Sequence, residues 1–203
     1  MDLIKKRRSI RKYSPQQIDA AVVREVLEAA RWAPSAHNAQ PCRFIVLTNV
    51  ALKRDLAEAM AAAWVADMTK DGVTAEVREN ATKASAERFM SAPVLIVACL
   101  TMKDMPKRPD ERRQHCERDL AVQSLGAALQ NMLLVAHDKG LGACWFSTPC
   151  FCKEAVRKIL NAPSDAEPQA LIALGYPAEK PEAPSRKPLR SHAYRDCWGK
   201  KLA

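Results

Sequence analysis

Apolar residues along this chain recur in two patterns, one helical and one typical of short strands. The i, i+3, i+4, i+7 spacing over 20–33 predicts an amphipathic helix, with Asp19 as its N-cap. A continuous apolar run at 92–100 is typical of a strand buried on both faces. Helices and strands therefore mix without the regular βαβ alternation of a doubly wound fold. The other predicted strands are 44–47, 143–146 and 170–174, and the other helices are 50–63 and 153–160.

Residues 119–138 form the longest predicted helix, and apolar side chains surround it on nearly every side. A helix that is apolar all round is buried, and a chain of 203 residues can hardly cover it alone. We therefore expect a large subunit interface at this helix, where the small residues 126–128 permit close helix packing.

Two segments have weaker patterns. Residues 66–91 are expected to form short helices in a mobile excursion, and residues 102–119 a charged surface loop.

The length and composition favour one folded domain over residues 1–203. With 48% hydrophobic content the chain can build its own core, whereas two domains would be crowded. The net charge of +9 is concentrated at the two ends, because residues 1–12 and 180–203 each carry +5. This is expected if both ends meet at one anionic ligand, and two solvated basic tails are the alternative. A nucleic-acid-binding protein more often spreads its basic residues over several elements, so no nucleic-acid partner is expected.

No membrane span, targeting signal, disulfide framework or metal site is predicted. The longest apolar run has nine residues, far short of a span, and the chain begins with basic residues rather than a signal peptide. Seven cysteines in this setting favour reduced thiols and a cytoplasmic location. Cys150 and Cys152 lack the spacing of a zinc or redox pair, and four scattered histidines offer little material for a triad. If the chain does chemistry, a bound cofactor is expected to carry it.

Two short motifs suit a nucleotide-like cofactor. Residues 7–11, Arg-Arg-Ser-Ile-Arg, hold three guanidiniums and a hydroxyl, and Arg presents a planar fork of donors that matches phosphate oxygens. Residues 34–41, Pro-Ser-Ala-His-Asn-Ala-Gln-Pro, place amides and a hydroxyl between prolines, which favours a rigid loop against a flat heterocycle. Gly140 and Gly142 precede a strand rather than a helix, so they match neither the dinucleotide fingerprint nor the P-loop. A solvated helix face and ordinary loop polar groups are the alternative interpretations of the two motifs.

Four segments carry a resemblance to a known family, and they are 7–11, 33–41, 140–146 and 186–189 with Trp198 beyond. Together they resemble the FMN-dependent nitroreductase family, in the order and roughly the spacing of that family. The resemblance covers almost the whole chain, and its third segment is most similar to a branch that includes the reductase domain attached to deazaflavin-coenzyme glutamyl ligases. Unlike many members, the chain has no Asn in the stretch 84–88 before the central strand, which leaves the hydride donor and the flavin geometry there open.

The resemblance implies an α+β sandwich, with a central mixed β-sheet flanked by helices, that works as an intertwined homodimer. The C-terminal arm, 178–203, would embrace the partner subunit, and FMN would lie at the interface. Positive charge and N–H dipoles near the pyrimidine edge would stabilise the reduced flavin, so no catalytic side chain is named. One subunit would bind FMN through Arg7, Arg8, Ser9, Arg11, Trp145, Phe146, Ser147, Arg186 and Lys187, and the opposing subunit would contribute Pro34, Ser35, Asn38 and Gln40.

The same resemblance implies an oxidoreductase that transfers a hydride from NADH or NADPH, through flavin N5, to a nitro, quinone or similar small acceptor in a ping-pong cycle. A second possibility keeps the fold and changes the flavin chemistry to reductive dehalogenation, flavin cleavage or reduction of a deazaflavin precursor. A basic nucleic-acid-binding module is the third, although aromatic platforms between its basic residues are lacking. His37 is interpreted as a loop residue rather than an acid, and Cys42 and Cys144 as inert packing thiols.

Overall fold

A four-stranded sheet forms the centre of the computed structural model, which describes residues 1–202. Helices cover both faces of this sheet. The strands are β1 (Cys42–Leu47), β2 (Val94–Leu100), β3 (Gly142–Phe146) and β4 (Glu167–Gly175). The α-helices are α1 (Asp2–Lys6), α2 (Ala20–Arg31), α3 (Val50–Lys70), α4 (Ala75–Ser91), α5 (Glu111–Asp138), α6 (Thr148–Phe151) and α7 (Lys153–Leu160). Two short 3₁₀ helices lie at Ala36–Asn38 and Leu189–Ser191.

The strand order is β1-β2-β4-β3, and all three pairings are antiparallel. The prediction of a mixed sheet is therefore wrong over residues 1–202, where the only parallel pairing is the isolated bridge between Ser9 and Ala143. The reason lies in the connection between the first two strands. Because α3 leads away from the end of β1 and α4 packs against it and returns, β2 starts next to the end of β1, and Leu47 lies opposite Leu95.

Strand β2 is buried on both faces, as its continuous apolar run predicts. Leu95 and Val97 belong to the core cluster that also contains side chains of α3, α4 and α7. Ile96 and Ala98 belong to the cluster formed with α2 and α5 on the opposite face. The alternation of neighbouring side chains between two helical layers is the period-2 geometry of a strand, and it confirms the α+β sandwich.

The strongly periodic helices begin and end close to their predicted positions. α2 starts directly after Asp19, whose side-chain oxygen accepts a hydrogen bond from Ala21 N at 2.7 Å. α7 spans the predicted residues 153–160. α5 begins earlier than predicted, because Asp110 caps it by accepting a hydrogen bond from Arg113 N at 2.9 Å. The second half of the predicted 102–119 loop is thus the solvated start of α5.

Residues 66–91 differ from the prediction of short helices. α3 continues to Lys70, and α4 then forms one helix that packs against it. The hydrophobic pattern of this stretch is weak because only Met68 and Phe89 are buried within it. Helix-forming residues such as Ala, Glu, Lys and Arg therefore decide its structure more than amphipathicity does. The mobility of the excursion stays a prediction.

The basic N-terminal segment lies along the sheet edge formed by β3 and β4. Ile10 N donates a hydrogen bond to Ala143 O at 3.0 Å, and Ser14 N donates one to Tyr176 O at 2.9 Å. Tyr13 is buried between these contacts, and its hydroxyl donates towards Ile10 O at 2.5 Å and Ala173 O at 3.1 Å. This arrangement fixes the segment that carries the arginine motif against the end of the core.

Gly142 permits the close approach of this segment to β3. A Cβ atom added at Gly142 would lie 2.7 Å from the Cβ and Cγ2 atoms of buried Ile10. We expect Gly142→Ala to lower stability by about 1–3 kcal/mol through overpacking, which corresponds to a melting temperature lower by roughly 2–12 °C. Thermal unfolding measures this. Ile10→Gly, which removes the Cβ as well as the rest of the side chain, should recover part of the loss in the double variant, whereas strictly additive losses would contradict the contact.

Candidate functional site

Three arginines lie near β3: Arg7 and Arg11 flank the segment that pairs with Ala143, and Arg88 lines the cavity at the end of the strand. Burial raises the pKa of the Cys144 thiol, and the positive charges of Arg11, Arg88 and Arg7 oppose that rise. In the part of the chain that the structure describes, no carboxylate forms an ion pair with any of these three arginines. Their charge is therefore available to an anion at the edge of the sheet.

Arg88 is the member of this cluster that the sequence analysis did not select. It lies in the last turn of α4, just before β2, where many members of the resembled family have a basic residue. A basic residue just before the buried strand is the sequence signal that could have identified Arg88. Tertiary packing of α4 against the sheet brings Arg88 within electrostatic range of Arg7 and Arg11, which are local to each other in sequence.

Arg8 is held differently from its neighbours. One terminal nitrogen donates hydrogen bonds to Lys5 O at 2.6 Å and to Arg7 O at 2.8 Å, so the guanidinium closes the end of α1. Its Nε atom is buried and has no hydrogen-bond partner within residues 1–202. Since buried donors in folded proteins are almost always paired, this N–H is available to an acceptor that binds here.

Glu179 joins the start of the C-terminal arm to the arginine motif. Its Oε1 atom accepts hydrogen bonds from Arg11 N at 2.6 Å and from Lys12 N at 3.1 Å. Ala178 N in turn donates to Lys12 O at 2.9 Å. The chain therefore contacts the arginine motif through residues 178 and 179, while the predicted meeting of the basic residues 180–203 with residues 1–12 at one ligand stays a prediction. Arg186 and Lys187 lie further along the arm, where both are exposed, and no hydrogen bond or ion pair of the described residues joins them to residues 7–11.

A cavity of about 690 Å³ opens beside the end of β3. This volume is typical of a pocket for a cofactor or drug-sized ligand. Trp145, just before it, is 39% exposed. Phe146 packs edge-to-face on Phe89 with ring centroids 5.1 Å apart, which fixes the wall of the cavity. The lining includes Phe146, Ser147, Thr148, Arg88, Trp64 and Phe151.

The loop predicted to line a flavin borders a different concavity. Pro34, Ser35 and Gln40 lie in the wall of a cavity of about 480 Å³ between α2, α5 and β1. Ser35 Oγ accepts a hydrogen bond from Gln40 N at 3.0 Å, which closes the loop on itself. No residue lines both this cavity and the one beside β3. One chain thus presents two separate groups of the predicted site residues, which is the arrangement expected if the second group serves a partner's site.

The titratable groups near these cavities do not form a metal or thiolate centre. Within residues 1–202, no group of three or more His, Cys, Asp or Glu side chains is placed to hold a metal ion. Burial raises the pKa of Cys42 to about 11, so this thiol is protonated at neutral pH. One helix of the described chain, α5, is long and apolar enough to cross a membrane by length and composition, but it packs in the core against α2 and the sheet.

Comparison with known proteins identifies the family of the chain. Residues 4–176 match the model of the nitroreductase family. The chain is 29% identical over 189 residues to a Bacillus subtilis protein named as the NAD(P)H nitroreductase YfhC, covering 93% of this chain and 90% of that protein.

Two solved structures overlap with almost the whole chain. A nitroreductase of Desulfovibrio desulfuricans in complex with FMN is 30% identical, with a TM-score of 0.71, and the overlap covers 97% of this chain and 96% of the other. A BluB-like flavoprotein of Clostridium difficile is 25% identical, with a TM-score of 0.78 and coverage of 96% and 97%. From the family match over most of its length and from the shared fold, the chain belongs to the nitroreductase family.

Proposed function

We propose that this protein is an FMN-dependent oxidoreductase that uses NADH or NADPH to reduce a nitro, quinone or similar small acceptor. The observation that carries the proposal is the position of three arginines that form no ion pair within residues 1–202: Arg7 and Arg11 flank the segment paired with β3, and Arg88 lines the cavity at the end of that strand. The cavity at Ser147 lies at the end of the same strand. The FMN bound in the related Desulfovibrio structure gives this cationic edge a chemically suitable occupant.

The described residues fit FMN on two grounds. The cations of the cluster match a phosphate monoester, since Arg binds phosphate oxygens in pairs. The orphaned Arg8 Nε supplies one further buried donor for an acceptor oxygen. The groups that would hold the phosphate and the polar ring edge are Arg7, Arg8, Ser9, Arg11, Arg186 and Lys187, while Trp145, Phe146 and Ser147 would lie beside the ring.

The chain's own contribution to the reaction is electrostatic and geometric. When bound, FMN supplies hydride transfer, accepting a hydride at N5 from the nicotinamide and passing it to the acceptor. The arginine cluster and the backbone N–H groups at the end of β3 favour negative charge on the ring. Burial raises the pKa of Cys144 in β3, and it raises the pKa of Cys152, which lines the cavity, to about 11, so both thiols stay protonated and take no proton from the site. No side chain is therefore assigned a role as a general acid or base.

The complete site requires two copies of the chain. Pro34, Ser35 and Gln40 border a cavity separate from that at β3, so they and Asn38 of the same loop would reach the FMN held by the partner. The arm supports the same assembly. Leu189 is 71% exposed and Trp198 is 88% exposed, and large apolar side chains so exposed are typical of interaction surfaces when they cluster. We therefore propose an intertwined homodimer with exchanged C-terminal arms.

An absorbance spectrum of the purified protein tests the proposal most directly. We expect a yellow preparation with flavin bands and one FMN per chain, bleached by NADH or NADPH under anaerobic conditions and recoloured by a quinone or nitro compound. Denaturation should release FMN rather than FAD. A colourless protein that does not respond to added FMN would overturn the assignment.

A second candidate keeps FMN but changes the chemistry to reductive dehalogenation, flavin cleavage or reduction of a deazaflavin precursor. The overlap with the BluB-like flavoprotein favours keeping this candidate. Anaerobic bleaching separates the two: flavin that binds tightly but is not reduced by either nicotinamide would favour the second candidate. Salt-sensitive retention on DNA by flavin-free protein would instead favour the nucleic-acid-binding alternative.

A further inference from the structure

The loop that borders the second cavity has an unusual backbone. His37, Asn38 and Gln40 have φ angles of +56°, +52° and +47°, which place three non-glycine residues in the left-handed region within four positions. Such conformations are uncommon outside glycine, with Asn and His among the more tolerant residues. They persist only where the surroundings hold them, and they cluster at ligand-binding sites. The contacts around the loop therefore show which side chains hold it in this conformation.

A buried carboxylate on α5 holds the loop at His37. Glu117 Oε2 lies 2.9 Å from His37 Nε2, and the Glu117 side chain is only 5% exposed. Its other oxygen, Oε1, accepts a hydrogen bond from Arg108 Nε at 2.7 Å and lies 2.6 Å from Arg108 Nη2 in the same ion pair. The hydrogen bond from Arg108 lowers the pKa of Glu117, with a smaller contribution from His37. The carboxylate is thus charged, and both of its oxygens are used.

A second contact of α5 holds Ala36, the residue directly before His37. Ser124 Oγ accepts a hydrogen bond from Ala36 N at 3.1 Å and donates one to Leu120 O at 2.8 Å. Ser124 follows Glu117 by seven residues, so both lie on the same face of the helix, about 10 Å apart along its axis. Both are buried polar residues, which is the exception in a protein core. Two buried polar side chains on one helix face therefore hold one short loop.

We propose that Glu117 is a positioning residue for the cofactor: held by Arg108, it grips His37 and keeps the 35–40 loop in the conformation that presents Ser35, Asn38 and Gln40 to FMN. This inference rests on the proposed function. Burying a carboxylate is costly unless it is paired and hydrogen-bonded. An apolar residue at 117 could pack the helix without that cost, but only a charged acceptor can hold the imidazole and the guanidinium together.

FMN titrations of full-length apoprotein test the clamp through Glu117→Gln, His37→Asn and the double variant. Asn tolerates a positive φ but is too short to reach Glu117, so His37→Asn removes the contact while respecting the backbone. We expect each single variant to raise the Kd for FMN about 5- to 20-fold, less than the full worth of a hydrogen bond to a charged group, because Ser124 still holds the loop at Ala36. The double variant should bind no more weakly than Glu117→Gln, because both changes remove one interaction.

Asp110→Asn is the matched control, since it also turns a carboxylate of this region into an amide but keeps a good N-cap and does not touch the loop. It should bind FMN like the wild type. The melting temperature of each apoprotein separates positioning from stability. A lower melting temperature with unchanged Kd overturns the inference, as do strictly additive losses. If Glu117→Gln does not fold, His37→Asn changes an exposed residue, and its Kd for FMN still tests the inference. Wild-type protein that binds no FMN overturns the proposed function itself and this inference with it.

Discussion

Arg11→Ala is expected to weaken FMN binding by about 1.5–3 kcal/mol, the worth of a hydrogen bond to a charged group, or roughly 10- to 150-fold in Kd. The reason is that the Arg11 guanidinium lies beside the segment paired with β3 and forms no ion pair within residues 1–202, although the Glu179 carboxylate accepts a hydrogen bond from its backbone N. Its backbone N–H is held by Glu179 and stays in place when the side chain is removed. Fluorescence quenching of FMN on titration into apoprotein measures the change.

Two further variants identify the origin of this loss. Arg11→Lys keeps the charge but not the planar fork of donors, so its Kd should lie between those of the wild type and Arg11→Ala. Arg54→Ala removes one guanidinium from an exposed position on α3 and leaves the net charge equal to that of Arg11→Ala. It should bind FMN like the wild type. Equal losses in Arg54→Ala and Arg11→Ala would assign the effect to overall charge rather than to the site.

The elements that could be predicted from the sequence are those whose burial has a clear period. α2 shows the helical spacing of a half-buried surface helix, and β2 shows the continuous apolar run of a central strand. The start of α5 could not be read in the same way, because its first turns are charged and solvated and only the Asp110 cap marks the boundary. Antiparallel pairing also depends on the path of α3 and α4, which no local pattern encodes.

The candidate site likewise contains residues that the sequence identifies and residues that only the fold brings together. Arg7 and Arg11 are close in sequence, so a motif identifies them together. Arg88 reaches them only through the packing of α4, and the turning of Arg8 towards the carbonyls of Lys5 and Arg7 depends on how α1 ends. Glu117 is the clearest case. Nothing in its charged neighbourhood distinguishes it from the solvated carboxylates around it, and only the fold reveals that it is buried against His37.

Ending the chain after Glu179 is expected to abolish the dimer and with it most FMN binding. Residues 176–179 pair with the N-terminal segment of their own chain, so this truncation leaves the Glu179 contacts intact. Beyond them, the described residues of the arm make hydrogen bonds only within the arm, and residues 182–192 are all exposed. A Pro- and Lys-rich segment of this kind does not fold on itself. Its apolar side chains therefore gain burial only on a second subunit.

Light scattering coupled to size exclusion measures the assembly, with the thermal stability of each form recorded alongside. A second truncation, after Ser191, keeps Arg186, Lys187 and Leu189 and removes the terminal turn in which the rings of Tyr194 and Trp198 lie 4.7 Å apart. We expect this form to stay dimeric, because the arm proper remains. A stable dimer after the deletion at 179 would show that α5 and the loop at 35–40 suffice for assembly, and the arm would then serve only to bring positive charge to the phosphate.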